Sequence, residues 1–150
     1  MNKKIFALLV IFIATVSVAT VVASEDLTSH DFGDFKMNIP TSQDDISEKQ
    51  GDANQTIYAV PNTDLSNFAF IEYWDTSNTN GNNNTTDFVL NKVKTNHTVD
   101  SKDGIYSWSA EEQGHGEQGY LVSSDDNTKI VVITSSDTRI QDVVKSVEFK

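Results

Sequence analysis

The densest group of ligand oxygens in the chain is the stretch NTNGNNNTTD, residues 78–87. A calcium loop needs oxygen ligands at fixed alternating positions around an invariant glycine. With Gly81 in the place of that glycine, the ligands would be Thr76, Asn78, Asn80, Asn82, Asn84 and Asp87. Only one of these is a carboxylate, and the last position holds Asp instead of the usual bidentate Glu. We therefore expect no metal and no other cofactor here.

The same stretch offers a second chemistry, the attachment of N-linked glycans. Acceptor sequons begin at Asn54, Asn83, Asn84 and Asn96. A chain rich in Asn and Thr also produces sequons by chance, and clusters of Asn, Thr and Gly are typical of loops. The stretch is interpreted as a connector loop, with glycosylation of these asparagines left open.

A second candidate for chemistry is EEQGHGEQGY, residues 111–120, where His115 stands between two glycines and near Glu112 and Glu117. An imidazole beside carboxylates could hold a metal or transfer a proton. However, Glu111 and Glu112 would face opposite sides of a strand. The HExxH and GxSxG patterns are also missing from the sequence. A polar hairpin loop is the favoured interpretation, and no catalytic residue is assigned.

Aromatic residues supply the third candidate site. Glu72 is the one acidic residue that alternation places on the same strand face as Phe68, Phe70 and Trp74. A carboxylate among aromatic side chains is a candidate pocket residue, and we assign a pocket to Glu72, Trp74, Trp108 and His115. Packing of the aromatics in the core of a small sheet is the alternative.

Strands must position these side chains, and period-two alternation predicts several. The predicted strands are 35–39, 56–60, 67–74, 97–99, 105–110, 119–123 and 129–134, with apolar residues on both faces of 67–74 and 130–133. Asp103-Gly104 and Asp125-Asp126-Asn127 are hairpin turn signals. Both faces of the sheet are therefore expected to be covered, with residues 130–133 in a central strand. Alternation also predicts that Tyr106, Trp108 and Ala110 share one face.

Two helices are predicted between and after these strands. The first begins at Thr86 as N-cap and buries Phe88, Val89, Leu90 and Val93. The second begins at Ser136 and Asp137 and buries Ile140, Val143, Val144 and Val147. Residues 147–150 are left open between a helix tail and a short closing strand. Segregated strands and helices with tight turns indicate the α+β class, with an antiparallel sheet of about 6–7 strands and helices packed on it.

Residues 1–23 carry a targeting signal: Lys3 and Lys4 precede an uncharged apolar run over residues 5–22, and Val21-Val22-Ala23 resembles a cleavage site. The run is also near the length that spans a bilayer, so an uncleaved anchor is the alternative. Residues 24–31 are interpreted as a polar lead-in and residues 32–150 as one domain. Secretion, or tethering to the outer surface by residues 5–22, is the expected location.

Charge limits the partners. The chain has 22 acidic and 11 basic residues, a formal net charge of −11 and no Cys. A polyanion repels nucleic acid and anionic membrane surfaces, so we expect no nucleic-acid partner and membrane contact only through an uncleaved N-terminal segment. Without Cys, disulfides and thiolate chemistry are excluded, and stability must come from packing. The residues predicted to form the core are Phe68, Phe70, Ile71, residues 130–133, Val143 and Val144.

The element order resembles a known family. The strand FKMNIP after the targeting segment, the paired strands, helix and meander, and the ending TRIQDVVKSVEFK are similar to the PsbP-like family of small exported domains. The resemblance covers most of residues 32–150 and implies a curved antiparallel sheet sandwiched by helices. It carries no catalytic motif onto any residue here. What it implies is a binding or assembly module.

We therefore expect an exported, non-catalytic domain of the cell envelope that binds or assembles with another envelope component. An extracellular module that binds a small molecule or lipid is the alternative, supported by the aromatic residues. An enzyme without a recognisable motif is the third hypothesis.

Overall fold

The computed structural model describes residues 27–40, 43–62, 67–77, 84–112 and 115–150, with only the backbone described at 43, 67, 110–112 and 115. The predicted targeting segment 1–23 lies outside these residues, and so does most of the NTNGNNNTTD loop. Within the described ranges, no helix is both long enough and apolar enough to span a bilayer.

Strands dominate the described part of the chain. They are β1 (Thr28–Asp31), β2 (Phe35–Ile39), β3 (Ser47–Gln50), β4 (Gln55–Pro61), β5 (Asn67–Asp75), β6 (Asp100–Lys102), β7 (Ile105–Glu112), β8 (His115–Ser123), β9 (Lys129–Ser135) and β10 (Glu148–Phe149). The helices in the same described residues are α1 (Thr85–Lys94) and α2 (Ile140–Val144), and a 3-10 turn lies at Gln43–Asp45.

The strands form two antiparallel sheets. A seven-stranded sheet has the order β3-β4-β5-β9-β8-β7-β6, and a three-stranded sheet has the order β1-β2-β10. The predicted α+β class, with an antiparallel sheet and packed helices, is confirmed. The prediction that residues 130–133 lie centrally is also confirmed, because β9 is the middle strand and all four of these residues are buried.

One face of the seven-stranded sheet, which we call the inner face, packs against the three-stranded sheet and α2. Its core includes Tyr58, Ile71, Tyr73, Val131 and Ile133 from the large sheet. The cover contributes residues at alternate positions of β2 and along one side of α2: Phe35, Met37, Ile39, Ile140, Val143 and Val144. These residues confirm the predicted alternation of β2 and the predicted apolar stripe of the last helix.

The opposite face, which we call the outer face, packs against α1. Its core is smaller and consists of Trp74, Val89, Leu90, Trp108, Leu121, Ile130 and Val132. Tyr106 and Trp108 share this face, as predicted. The sheet therefore has covering elements on both sides: α1 on part of the outer face, and a second sheet with a five-residue helix on the inner face.

Both predicted hairpin turns form. Asp103 and Gly104 have φ of 53° and 78°, and together they connect β6 to β7. Asn127 has a φ of 60° in the turn between β8 and β9. Asp, Asn and Gly tolerate this left-handed region better than other residues, which is why the turn signals were readable in the sequence. Strand β6 begins at Asp100, however, and the predicted strand 97–99 does not form.

Two strands were missed in segments that look polar. Residues 28–31, inside the predicted lead-in, form β1 and pair with β2. Residues 47–50, between the predicted strands 35–39 and 56–60, form β3 and pair with β4. Both are edge strands with exposed side chains, so backbone pairing forms them without an apolar alternation that sequence reading could detect.

The start of α1 differs from the prediction. The N-cap is Asn84, whose side-chain oxygen accepts a hydrogen bond from the Asp87 backbone N at 2.9 Å. Thr86, the predicted cap, is buried together with Val89 and Leu90. Positions 86, 89, 90 and 93 form one stripe at helical spacing. Phe88 lies off this stripe, so the prediction that it is buried was wrong: it is 47% exposed.

The last helix is also shorter than predicted. It begins at Ile140, because Thr138 and Arg139 form a turn in which the Asp137 carboxylate accepts hydrogen bonds from the Arg139 backbone N and guanidinium. The chain then ends in strand β10, which pairs Phe149 with Phe35. A short closing strand was one of the two endings that the sequence left open.

Candidate functional site

The structure places three of the four predicted pocket residues on the outer face. Trp74 and Trp108 belong to one buried cluster, and Glu72 lies two residues before Trp74 on the same face of β5. His115 begins β8 opposite Glu112, and its side chain lies outside the described atoms. The EEQGHGEQGY stretch is a hairpin as predicted, but its polar residues are mostly in strands.

Glu72 is held in one orientation by its neighbours. Its Oε2 accepts a hydrogen bond from Gln55 Nε2 at 2.7 Å and another from Trp74 Nε1 at 3.2 Å. Among the described residues, no hydrogen bond ends on Oε1. The carboxylate is half-buried between Ile57 on one neighbouring strand and Val132 on the other. The sheet thus presents a carboxylate acceptor whose orientation is fixed by the fold.

The outer face is open beside Glu72. Phe70, two residues earlier on β5, is 45% exposed, although its strand lies between β4 and β9. Ala59 and Thr134, its partners across the sheet, are half-buried, as is Ile57. We call Ile57, Ala59, Phe70, Glu72 and Thr134 the open half of the outer face. The prediction that Phe70 contributes to the core was wrong, because α1 has only ten residues and covers the Trp74 end of the sheet.

Among the clefts elsewhere on the described surface are three that do not include Glu72. The first, of about 500 Å³, is lined by His30, Asp31, Phe32, Gly33, Ile46, Glu48 and Tyr58. We call it the Tyr58 cleft. It lies where the β1–β2 hairpin meets β3 and β4 of the large sheet. Sequence reading missed it because its rim comes from the two polar edge strands. The turn residues of HDFGDF, just before the alternation of β2, are the signal that could have indicated a hairpin there.

The second cleft, of about 400 Å³, is an edge groove beside Trp108 that also contains His97, Asp100, Ser107 and Ser109. The His97 and Trp108 rings are 6.5 Å apart. These residue types could support nucleophilic catalysis, but in the described part of the chain no hydrogen bond joins His97 to Asp100 or to either serine. The groove therefore supplies no argument for a catalytic triad.

The third cleft, of about 580 Å³, lies between the β8–β9 turn and the C-terminal residues and includes Asp125, Asp126, Lys129 and Lys150. Hydrogen bonds from Ser124 and Thr128 lower the pKa of Asp126 to about 2. These bonds close a tight turn, so we assign the shift to turn structure. In the described ranges no three His, Asp or Glu side chains are grouped in a way that could hold a metal ion.

The four sequons differ in access. Thr85 and Thr86, which complete the sequons of Asn83 and Asn84, are 1% and 3% exposed. Thr85 Oγ1 donates to the Thr128 carbonyl, and Thr86 Oγ1 lies 2.8 Å from Ser123 Oγ, so both hydroxyls anchor α1 to the β8–β9 hairpin. Asn83 itself lies outside the described residues.

The other two sequons are at turns. Asn54 is exposed with a φ of 71°, and its Thr56 is half-buried in β4. Asn96 and Thr98 are both exposed in the loop after α1. Among the described acceptors, Asn96 is therefore the most accessible to an enzyme that glycosylates the folded protein.

The fold and this surface define the class of the protein as an α+β domain with a half-covered sheet. No protein-family model, no curated protein and no solved structure matches the chain. The resemblance to the PsbP-like family therefore stays a prediction, as do the expected location and function.

Proposed function

We propose that the protein is an exported, non-catalytic domain of the cell envelope that binds another envelope component through the open half of the outer face. The observation that carries the proposal is the exposure of Phe70, 45%, in an interior strand of the large sheet. A large aromatic side chain with partly exposed apolar neighbours on a sheet face is typical of a protein–protein contact.

The position of Glu72 indicates the chemistry of the partner. Its carboxylate is fixed by two hydrogen bonds to Oε2, which leaves Oε1 to accept a bond from outside. An Arg or Lys side chain of the partner would satisfy this oxygen while its apolar stem packs on Phe70. The net charge of −11 favours a basic partner surface over an acidic one and disfavours a second copy of this chain.

Export is supported by the sequence of residues 1–23. If the segment is a cleaved signal, mass spectrometry of the protein from its own host will show an N-terminus at or near Ser24. Recovery of the intact chain in the membrane fraction will instead support the surface tether. A full-length chain found only in the soluble cell interior would contradict export.

The binding surface is tested by cross-linking in the native host. We would place a photo-cross-linking amino acid at Phe70 and, as the matched control, at Asp142, an exposed residue of α2 on the other side of the sheet. The expected result is an adduct of one defined mass from position 70 and none from position 142. Equal labelling from both positions, or none from either, would contradict the proposal.

The role of Glu72 is tested in the same assay. With the cross-linker at Ala59, the charge reversal Glu72→Lys should remove the adduct because it repels a basic partner, while Asp142→Lys should not. Salt should weaken the wild-type adduct, since exposed charge pairs are screened. An adduct that survives Glu72→Lys would show that the partner is not held by this carboxylate.

A further inference from the structure

The Tyr58 cleft is a second site, on the opposite side of the large sheet from the open half. Its wall is aromatic. The Phe32 ring stacks on Phe35 at 4.7 Å and meets the Tyr58 ring edge to face at 5.0 Å. Phe35 in turn stacks on Tyr73 at 5.4 Å. The wall is therefore continuous with the inner core and is rigidly positioned, because Phe35 is 0% exposed.

The hydroxyl of Tyr58 is the polar group inside this wall. Tyr58 is only 7% exposed, and among the described residues its hydroxyl has no hydrogen-bond partner. No side-chain oxygen that is fully buried in the described ranges lacks a partner, so this hydroxyl is accessible to solvent, and Tyr58 lines the cleft. Burial raises the pKa of Tyr58, with smaller contributions from Glu48 and Asp34, so the group is a neutral hydroxyl at pH 7 that can accept a hydrogen bond.

The charge of the cleft is negative. Two carboxylates line it, Asp31 and Glu48, and neither Lys nor Arg is among the lining residues. Asp31 is already paired with Lys150 and accepts a hydrogen bond from the Gly33 backbone N. Glu48 is exposed and, within the described part of the chain, forms no ion pair. One uncompensated carboxylate thus lies beside an aromatic wall.

We propose that the Tyr58 cleft binds an aliphatic primary ammonium group. The rings of Phe32 and Tyr58 attract a cation, and Glu48 and the Tyr58 hydroxyl accept its N–H groups. The methylene chain would lie against Phe32 and Ile46. A neutral alcohol of the same shape lacks the attraction to Glu48, and an anion is repelled by it. This inference is independent of partner binding at the open half.

Two sources could supply this group, a free alkylamine or a lysine side chain of another protein. The full chain would be titrated with n-butylammonium for the first and with Nα-acetyl-lysine methylamide for the second, at constant ionic strength. Two-dimensional amide NMR would follow Phe32, Gly33 and Ile46, which are cleft residues with backbone N–H groups. n-Butanol is the neutral probe of matched shape.

The expected result is saturable shifts at these three amides with an ammonium probe. Butanol should bind at least about tenfold more weakly, because it lacks both the charge pair with Glu48 and the attraction of a cation to the two rings. Tighter binding of butylammonium points to a free amine, and tighter binding of the lysine amide points to a protein side chain. Either result supports the proposal. Equal response to butanol, or shifts spread evenly over the acidic surface, would overturn it.

Single-residue variants test which side chains of the Tyr58 cleft contact the ammonium group. Tyr58→Phe removes only the hydroxyl and should weaken ammonium binding about two- to tenfold, the range for one hydrogen bond. Glu48→Gln should weaken it about two- to fivefold, as for an exposed charge pair. Asp100→Asn, on the edge strand at the other end of the sheet, is the matched charge control and should not change the affinity. The amide spectrum of each variant verifies its fold. Unchanged affinity in both Tyr58→Phe and Glu48→Gln would overturn the assignment.

Discussion

The two faces of the seven-stranded sheet are built from similar residues but are covered to different extents. On the inner face, Tyr58, Ile71 and Ile133 are buried under a second sheet and α2. On the outer face, Trp74 and Val132 are buried under α1, while Phe70 on the same strand as Trp74 is 45% exposed. The difference comes from the length of the covering elements, since the ten residues of α1 cover only one end of the sheet.

This comparison assigns the inner face to the stability of the fold and the open half of the outer face to binding. Ile71 and Ile133, under the second sheet, have no access to solvent, so their role is to hold the fold. Residues of the open half contribute less to stability because folding removes less of their surface from water. Contact with a partner explains the apolar character of these residues better than a contribution to folding stability does.

The largest expected effect compares one phenylalanine from each side. Phe35→Ala should destabilise the protein by about 3–5 kcal/mol, because Phe35 is fully buried between Phe32 and Tyr73. Phe70→Ala should cost about 1 kcal/mol or less, since nearly half of the side chain is already in water. Urea unfolding of both variants measures the difference. Equal losses would show that something covers Phe70 in solution.

The next effect concerns the Trp108 end of the outer face, where the indole lies over Gly119 of the paired strand. A Cβ at Gly119 would overlap the indole ring, so Gly119→Ala should destabilise the fold by about 1–3 kcal/mol. Gly116→Ala, on the same strand with no atom within 4 Å of the added Cβ, is the control and should be close to neutral. Similar thermal unfolding of both variants would mean that Trp108 is free to move aside.

A smaller effect is expected at the start of α1, which covers the closed half of the outer face. Asn84→Ala removes the N-cap and the 2.9 Å bond from the Asp87 backbone N, and should cost about 1 kcal/mol. Asn91→Ala, in the exposed middle of the same helix, should not destabilise it, since Ala is the better helix former. Circular dichroism during urea unfolding would compare the two. A neutral Asn84→Ala would argue that Thr85 and Thr86 alone anchor the helix.

The ion pair between Asp137 and Arg139, just before α2, should contribute to stability in a pH-dependent way. Hydrogen bonds and charge from Arg139 lower the pKa of Asp137 below the ordinary value of 3.8. Its stabilising effect is therefore complete above about pH 4 and is lost as the pH falls through the lowered pKa. Asp137→Asn should thus cost up to about 1 kcal/mol at pH 6 and less at pH 2.5. Unfolding at both pH values measures this, with Asp142→Asn as the charge control. A cost independent of pH would contradict the ion pair.

The last prediction concerns glycosylation, which should differ between the sequon of Asn96 and the sequon of Asn84. If the host glycosylates the folded protein, Asn96 should carry the added mass and Asn84 should not, because Thr98 is exposed while Thr86 is buried. Peptide mass spectrometry of native protein decides between them. Modification at Asn84 would mean that the glycan is added before α1 docks on the hairpin. Unmodified peptides at all four sequons would show that the protein is not glycosylated at these sites in its host.

Local signals determined much of the fold. The alternation of β2, the apolar run of β9 and the turns at Asp103-Gly104 and Asn127 were readable because each depends on neighbouring residues and on the backbone preferences of Asp, Asn and Gly. The α+β class followed from the order of these elements. The edge strands β1 and β3 were not readable, since pairing with a distant strand forms them and their side chains carry no apolar pattern.

Tertiary structure alone decided where the candidate sites lie. Glu72 could be assigned to the face of Trp74 from alternation, but its fixed orientation depends on Gln55, which belongs to another strand. Phe68 and Phe70 look equivalent in the sequence. Yet Phe68 is the extra residue at the irregular pairing of Val60 and Pro61 and is 1% exposed, whereas Phe70 is 45% exposed. Alternation specifies a face of the sheet, and only the packing of distant elements determines which part of that face is covered.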